Sequence, residues 1–147
     1  MTKLKLFTIG FTQKTAKEFF TTIKQAGITK IIDIRLNNVS QLAGFAKKND
    51  LIYFLKELCS CDYLHRPQFA PTKEILDGYK KKQIDWDEYE HKFKDLMNKR
   101  TIENLIHEKE LNNSCLLCSE PTPDKCHRRL VADYLKNKFN NLEIKHL

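Results

Sequence analysis

The chain has 147 residues, which is the length of one domain, and 41% of them are hydrophobic, which is enough to form a core. No apolar run approaches the roughly 18 residues that a membrane-spanning helix needs, so transmembrane, collagen-like and disordered chains are excluded. The net charge of +7 favours contact with polyanions, but only 5 of the 26 basic residues are arginine, and a solvated lysine-rich surface is the simpler explanation.

The first part of the chain alternates between strand and helix patterns. Residues 4–9 form a short apolar strand, and a helix begins after it because Thr15 and Glu18 make a capping box. We predict that this helix ends at Gly27 and buries five residues at helical spacing, namely Ala16, Phe19, Phe20, Ile23 and Ala26. Residues 30–35 form a nearly continuous apolar strand, which is typical of a parallel sheet covered on both faces.

Strand and helix patterns continue to the end of the chain. The predicted order is a helix over residues 50–58, a strand over 63–65, helices over 72–80, 86–98 and 102–111, a strand over 114–118, a helix over 124–138 and a strand over 142–146. Such alternation indicates βαβ units joined by right-handed crossovers. We therefore predict an α/β fold: a single three-layer domain over residues 1–147 with a mostly parallel sheet of about five strands flanked by helices, plus a helical insertion between strands 3 and 4.

Ligands of such sheets bind outside the carboxyl ends of the strands, so the residues just after each strand are candidates for function. Four of the five arginines fall there, namely Arg35, Arg66, Arg128 and Arg129. Where lysine is the usual cation, an arginine indicates a use for its forked geometry. The sequence therefore predicts an anion pocket, most simply for phosphate or carboxylate.

The segment from Cys118 to Arg129 carries the densest group of reactive side chains. Thr122 is the predicted N-cap of the following helix and Pro123 its first residue, so the free N–H groups of the first turn would favour an anion. On a helical wheel His127 joins the apolar face, which points it toward the sheet edge. His127 is thus a candidate catalytic or ligand-binding residue, and the alternative is a core histidine with a satisfied hydrogen bond.

Cys126 and Glu120 are further candidates in this segment. The helix dipole would lower the pKa of the Cys126 thiol and make it a nucleophile, unless the residue is simply a small half-buried apolar side chain. Glu120 can act as a general base or hold an arginine in a forked ion pair, and the alternative is an exposed loop carboxylate.

Metal and cofactor sites are less favoured. Cys115 and Cys118 match C-x-x-C, but in a strand of period two their sulfurs face opposite sides of the sheet. A mixed site of Cys118, Glu120, Cys126 and His127 is conceivable, yet we expect neither a metal nor a cofactor. The chain has no phosphate-binding loop, no dinucleotide fingerprint and no serine-hydrolase elbow, which disfavours those enzyme classes.

The motifs resemble the family known as domain of unknown function 488. They are Thr8-Ile9-Gly10, Asp33-Ile34-Arg35, Gly44-Phe45, Ala70-Pro71-Thr72-Lys73-Glu74 with Trp86 and Tyr89, Leu117-Cys118-Ser119-Glu120, Cys126-His127-Arg128 and the closing His146-Leu147. The resemblance implies a small cytosolic α/β protein of bacteria or archaea whose activity is not assigned. Two positions depart from the pattern: Phe11, where a histidine or another polar residue is frequent, and Asn38, where a proline is usual.

The leading hypothesis is an enzyme that acts on a phosphate-bearing substrate, a nucleotide or a nucleic-acid end. Arg35 and Arg128 would clamp the anion, Glu120 or His127 would move protons, and Asp33 would orient an arginine or a histidine. The remaining substrate-binding candidates are Thr8, Gly10, Cys118, Arg66 and His65. The alternatives are a non-catalytic nucleic-acid or nucleotide-binding module and a scaffold in which the motif only pins loops.

We expect a cytoplasmic protein without a membrane partner. The amino-terminal residues carry no export signal, and five cysteines is an odd number, which favours reduced thiols over a disulfide framework.

Overall fold

The protein forms a five-stranded, wholly parallel sheet. The computed structural model describes residues 3–39, 44–120 and 122–147. The strands are β1 (Leu4–Gly10), β2 (Lys30–Asp33), β3 (Asp62–His65), β4 (Ser114–Cys118) and β5 (Leu142–His146). They lie in the order β3-β2-β4-β1-β5, and every neighbouring pair is parallel. The predicted α/β class is confirmed.

Helices cover both faces of the sheet. They are α1 (Ala16–Gln25), α2 (Lys48–Cys59), α3 (Lys73–Lys80), α4 (Trp86–Arg100) and α5 (His127–Lys138). Helices α1 and α2 pack on one face with one hydrophobic cluster, and α3, α4 and α5 pack on the other face with a second cluster. The predicted helical insertion between the third and fourth strands is present as α3 and α4. Within the described ranges, no helix has the length and apolar character needed to cross a membrane.

Local sequence signals account for α1. The Thr15 hydroxyl accepts the backbone N–H of Glu18, and the Glu18 carboxylate accepts the backbone N–H of Thr15, as the capping box predicts. Gly27 has a φ of 72°, the left-handed conformation expected after the helix end. The prediction that Ala16 is buried is wrong, because this residue of the first turn of α1 is exposed and the buried residues of the helix begin at Phe19.

The alternation of side chains along β4 also follows the sequence. Cys115 belongs to the cluster beneath α1 and α2, whereas Cys118 belongs to the cluster beneath α3, α4 and α5. The two sulfurs therefore face opposite sides of the sheet, as the period of two predicts.

Most predicted helices agree with the structure to within two residues at each end, but two depart further from it. The helix expected over residues 102–111 is replaced by two short 3₁₀ helices, Ile102–Asn104 and Glu108–Leu111. Ile102, Ile106 and Leu111 are buried. A continuous helix would need an apolar residue three or four positions after Ile106, but both of those positions are charged.

The helix predicted over residues 124–138 begins only at His127. Cys126 is its N-cap, with an extended φ of −132°, so the roles predicted for Thr122 and Pro123 are wrong. The backbone N–H of Cys126 instead bonds to the carbonyl of Pro123 and closes a turn just before α5. Because the backbone of Cys126 is extended, helical hydrogen bonding begins only after this residue.

Strand β4 lies at the topological switch of the sheet. Its neighbours β1 and β2 lead to α1 and α2 on one face, whereas β4 leads to α5 on the other. Connections that leave adjacent strands toward opposite faces open a crevice at the carboxyl end of the sheet. The residues that follow β2 and β4 are therefore the ones placed to bind a ligand.

Gly10 permits the close approach of the β4 loop to β1. It lies opposite Cys118 in the register, and a Cβ atom at this position would overlap the carbonyl oxygen of Glu120. We expect Gly10→Ala to lower the free energy of unfolding by about 1–3 kcal/mol, because the loop must shift to make room. Urea denaturation measures the change.

The matched control is Gly44→Ala, where an added Cβ atom meets no atom of the described residues within 4 Å. That variant is expected to stay within about 0.5 kcal/mol of the parent. Equal stability of the two variants would contradict the steric role assigned to Gly10.

Candidate functional site

A cleft of about 1140 Å³ opens at the carboxyl ends of β2 and β4. We call it the strand-end cleft. Its lining comes from the residues after β2, from α3 and the start of α4, from the loop after β4 and from the start of α5. Five of the residues singled out from the sequence line it, namely Arg35, Cys118, Glu120, Cys126 and His127.

The other candidates lie beside or behind the strand-end cleft and do not line it; they are Thr8, Gly10, Asp33, His65, Arg66 and Arg128. The side chain of Arg66 turns back to the carbonyl of its neighbour His65 at 3.5 Å. Arg129 lies on the outer side of α5, where it pairs with Glu90 and Asp133. The four arginines at the strand ends thus do not form one cluster, and only Arg35 reaches the cleft.

Arg35 is held in a buried ion pair with Asp33. Its Nε and Nη2 atoms donate to the two carboxylate oxygens of Asp33 at 2.9 and 2.8 Å, and Nη2 also donates to the carbonyl of Ala46 at 2.8 Å. Both side chains are almost fully buried, with 4% and 0% of their surfaces exposed. Burial alone would lower the pKa of Arg35, but its hydrogen bonds and charge contact with Asp33 raise it above the ordinary value. Asp33 therefore orients an arginine, as the sequence hypothesis supposed.

Residues from neighbouring elements complete this arrangement. The Tyr63 hydroxyl donates to Asp33 at 2.5 Å and accepts from the side-chain amide of Asn38 at 3.0 Å. His65 Nε2 lies 2.8 Å from the carbonyl of Arg35 and donates to it. The Arg35 guanidinium lies over the ring of Phe11 at 5.2 Å. The two positions that depart from the family pattern, 11 and 38, thus both support the Asp33–Arg35 pair.

One nitrogen of Arg35 is left for a ligand. Among the residues that the structure describes, Nη1 has no hydrogen-bond partner although it is buried. Arg35 also lines the strand-end cleft. A buried guanidinium donor costs free energy when it is unsatisfied, so an anion in the cleft would be stabilised by it.

Cys118 ends β4 and lies in a thiolate-stabilising environment. Burial by itself would raise the pKa of its thiol, but hydrogen bonds from Cys126 and from the backbone N–H groups of Ser119 and Glu120, together with the charge of Arg128, lower the pKa below the usual value. A thiolate is the reactive form of cysteine. Cys118 rather than Cys126 is therefore the activated thiol of the site.

The Cys126 thiol has the opposite character. Burial raises its pKa, and so do the hydrogen bond and the negative charge of Cys118. The expectation that the helix dipole lowers the pKa of Cys126 is therefore wrong. Because Cys126 donates its proton to Cys118, it stabilises the neighbouring thiolate while remaining a thiol itself.

His127 points inward from the first turn of α5, as the helical wheel predicts. It is 6% exposed, and its Nε2 lies 2.7 Å from the carbonyl of Ile34, to which it donates. The Cys118 sulfur lies 3.2 Å from Nδ1 and 3.7 Å from Nε2, so it sits over the ring rather than on the axis of a nitrogen lone pair. The ring also packs edge-on against Phe93 at 5.9 Å. Among the motif residues, the side chain of His127 therefore contacts Cys118.

Arg128 lies behind the site and connects it to β1. It is fully buried, and its Nη1 donates to the Thr8 hydroxyl at 2.9 Å. That hydroxyl also forms a hydrogen bond with Nδ1 of His146 at 2.6 Å. Burial lowers the pKa of His146, and the charge of Arg128 lowers it further, in keeping with a neutral ring. Arg128 therefore contributes its charge to the Cys118 environment but does not contact the strand-end cleft.

Cys118, Cys126 and His127 form a group of three residue types that can bind a metal ion. One ligand atom from each lies within 4.8 Å of the others, close enough for three ligands of a zinc ion. However, an ion on the lone-pair axis of Nδ1 would hold the Cys118 sulfur farther from Nε2 than the observed 3.7 Å. The imidazole as it stands does not present Nδ1 to an ion shared with Cys118.

An aromatic wall faces these residues across the strand-end cleft. It consists of Tyr79, Trp86 and Tyr89, in which the Trp86 and Tyr89 rings stack 4.7 Å apart and Tyr79 packs against both. Sequence reasoning assigned these residues no role, although Trp86 and Tyr89 belong to the motifs. Four lysines, Lys73, Lys80, Lys82 and Lys125, line the same cleft.

Fold and site together define a parallel α/β protein with a Cys–Cys–His group and one arginine at the switch point of the sheet. A family model, domain of unknown function DUF488, matches residues 15–135. The chain belongs to this family, and the resemblance predicted from the motifs is confirmed. No curated protein and no solved structure shows a significant match to the chain.

The Asp33–Arg35 pair gives a stability prediction. Asp33→Asn should lower the free energy of unfolding by about 3–5 kcal/mol, because it leaves the buried charge of Arg35 without its counter-charge. The matched control is Asp62→Asn, which breaks a pair with Lys56 whose side chains are 67% and 69% exposed, and a change under about 1 kcal/mol is expected there. Chemical denaturation of both variants measures the change in the free energy of unfolding. Similar decreases in the two variants would refute the dominant role of the buried pair.

The Cys118 environment gives a titration prediction. The ultraviolet absorbance of thiolate should show one cysteine that ionises below the ordinary pKa of about 8.5. Cys118→Ser should remove that step, whereas Cys115→Ser should retain it, because burial raises the pKa of Cys115. If the low step persists in Cys118→Ser, another thiol is the activated one.

Proposed function

We propose that the protein is an enzyme that binds a phosphate-bearing substrate, a nucleotide or a nucleic-acid end, in the strand-end cleft and attacks it with the thiolate of Cys118. The observation that carries the proposal is that Cys118 and Arg35 line one cleft, and that Nη1 of Arg35 is buried without a hydrogen-bond partner among the described residues. The two groups are near enough that the charge of Cys118 contributes to raising the pKa of Arg35. A phosphate held by Arg35 would therefore lie beside the sulfur.

The arrangement supports a two-step phosphoryl transfer. In the first step the Cys118 sulfur forms a bond to phosphorus while the bond from phosphorus to the leaving oxygen breaks, and that oxygen takes a proton from Glu120. In the second step water attacks the phosphorus, gives its proton to Glu120 and releases Cys118 as thiolate. Arg35 and the first-turn N–H groups of α5 stabilise the negative charge on the phosphoryl oxygens.

His127 has a positioning role in this scheme. Its Nε2 proton is engaged with the carbonyl of Ile34, so the ring is fixed across the gap between the residues after β2 and the start of α5. The ring lies against the Cys118 sulfur, with Nδ1 3.2 Å from it, and so restricts where that sulfur can lie.

The opposite wall of the cleft favours a nucleotide over a simple phosphate ester. A base can stack on the Tyr79–Trp86–Tyr89 group, because every base offers a flat π-face to an aromatic ring. The lysines that line the cleft would add attraction for the phosphate chain.

A non-catalytic nucleotide or nucleic-acid binding module is the second candidate. The aromatic wall and the lysines favour it, since they supply stacking and charge without any reacting group. Such a module would not depend on Cys118. Binding through the lysines would also fall steeply with salt.

Nucleoside mono- and diphosphates are expected to raise the melting temperature of the protein. A ligand at about one hundred times its dissociation constant adds about 2.7 kcal/mol of stability. Arg35→Lys should abolish most of this shift, because a lysine ammonium cannot reproduce the forked bonds to Asp33 that aim the guanidinium. The matched control is Arg66→Lys, which lies outside the cleft and should leave the shift unchanged.

Turnover of the compounds that shift the melt separates the two candidates. For an enzyme, Cys118→Ser should keep the shift and lose release of inorganic phosphate from the bound compound. If parent and Cys118→Ser bind alike and neither turns over any compound of the panel, the binding module replaces the enzyme. If no phosphate compound shifts the melt of the parent, the anion site itself is wrong.

A further inference from the structure

Two of the five cysteines lie close together in the lining of the strand-end cleft. Cys118 and Cys126 both line it, their ligand atoms lie within 4.8 Å of each other, and both are free thiols. The interaction with Cys126 is one cause that lowers the pKa of Cys118, and the interaction with Cys118 is one cause that raises the pKa of Cys126. In the proposed phosphoryl transfer only the Cys118 sulfur forms and breaks bonds, and Cys126 acts on it only as a neighbour that stabilises the thiolate.

We propose that Cys118 and Cys126 form a dithiol that hydroperoxides oxidise reversibly to a disulfide. The pair is a redox modification site whose chemistry does not depend on any phosphate-bearing substrate. Cys118 is the thiol that reacts with the peroxide, and Cys126 is the thiol that resolves the product.

The reaction has two balanced steps. The Cys118 thiolate attacks one oxygen of hydrogen peroxide, the O–O bond breaks, and the departing hydroxide takes a proton to leave as water, so that Cys118 becomes a sulfenic acid. The Cys126 sulfur then attacks the Cys118 sulfur, the S–O bond breaks, and a second water leaves with the Cys126 proton. The two sulfurs lose two electrons in total and the peroxide gains them.

The backbone around Cys126 allows the sulfurs to meet. A disulfide requires an S–S distance of about 2.05 Å. The two sulfurs, which lie within 4.8 Å of each other, must therefore move closer together. Cys118 is fixed at the end of a central strand, but Cys126 is an N-cap residue in extended conformation at the end of a loop. Rotation of the Cys126 side chain, together with a small shift of the turn before α5, would bring the Cys126 sulfur to the Cys118 sulfur. Neither movement requires a strand to separate from its neighbour in the sheet.

The other three cysteines are poorly placed for this reaction. Cys115 is fully buried on the opposite face of the sheet, and burial holds its pKa well above the usual value. Burial also raises the pKa of Cys59, and that of Cys61 to about 12. None of the three lines the strand-end cleft. Peroxide should therefore select Cys118.

The test is peroxide oxidation of the full chain followed by acid quenching, alkylation and non-reducing tryptic mapping. Lys125 lies between the two cysteines, so trypsin separates them and a disulfide appears as two linked peptides. In the parent we expect that linkage, with a mass loss of two hydrogen atoms per chain, and its removal by a dithiol reductant.

Variants separate the roles of the two thiols. Cys126→Ser should accumulate Cys118 sulfenic acid, trapped by dimedone, and then pass to the irreversible sulfinic acid. Cys118→Ser should form neither product, and Cys59→Ser should behave like the parent. Circular dichroism and thermal melts establish that each variant is folded.

Three results would overturn the proposal. The first is that the folded parent reaches sulfinic acid at Cys118 as fast as Cys126→Ser does. The second is that peroxide induces a disulfide that involves Cys59 or Cys61 instead. The third is that the chain retains one zinc ion and both thiols stay unoxidised. None of these readouts requires turnover of a phosphate compound, so loss of the proposed enzyme activity would not affect the outcome.

Discussion

The buried ion pair between Asp33 and Arg35 is the constraint on which the site depends. An arginine with 4% of its side chain exposed requires a counter-charge and hydrogen bonds, and Asp33 provides both at the end of β2. Tyr63 and Asn38 then orient the carboxylate, while Phe11 supports the guanidinium. The pair fixes the direction of Arg35, and of the guanidinium nitrogens Nη1 has no hydrogen-bond partner among the described residues.

The order of the strands explains why this pair meets a thiol. Strand β4 inserts between β1 and β2, so Cys118 comes next to the residues that follow β2, although 85 positions separate it from Asp33 along the chain (118 minus 33). The start of α5 then brings His127 back over the same gap, where its ring bonds to the carbonyl of Ile34. Three segments that are distant in sequence thus converge through the sheet order alone.

Much of the fold follows from local patterns in the sequence. The capping box at Thr15 and the bounds of β4 and β5 need only the residues nearby, and the α/β class follows from the alternation of elements. The inward direction of His127 also follows, because helical periodicity fixes the face of a residue even when the start of the helix is misplaced by three positions.

Parts of the site depend on contacts that no local pattern encodes. Which thiol is activated depends on the turn before α5, where Cys126 adopts an extended conformation and donates to Cys118. The aromatic wall forms only because α3 and α4 pack over the sheet in this way. The arginines are separated because their side chains leave their helices and loops in different directions, as that of Arg129 does toward Glu90. Spacing in the sequence identifies the reactive residue types at the strand ends, but only packing decides which of them share a cavity.

The position of β1 has a consequence for how the chain folds. Its two neighbours in the sheet, β4 and β5, begin at Ser114 and Leu142, more than a hundred residues further along. A central strand made early during synthesis must therefore wait for segments made late before its backbone groups are paired on either side. Pairings of such high contact order form slowly, and until they form β1 has two unpaired edges. We expect this strand, rather than the helices around it, to determine both the folding rate and the tendency of newly made chains to aggregate.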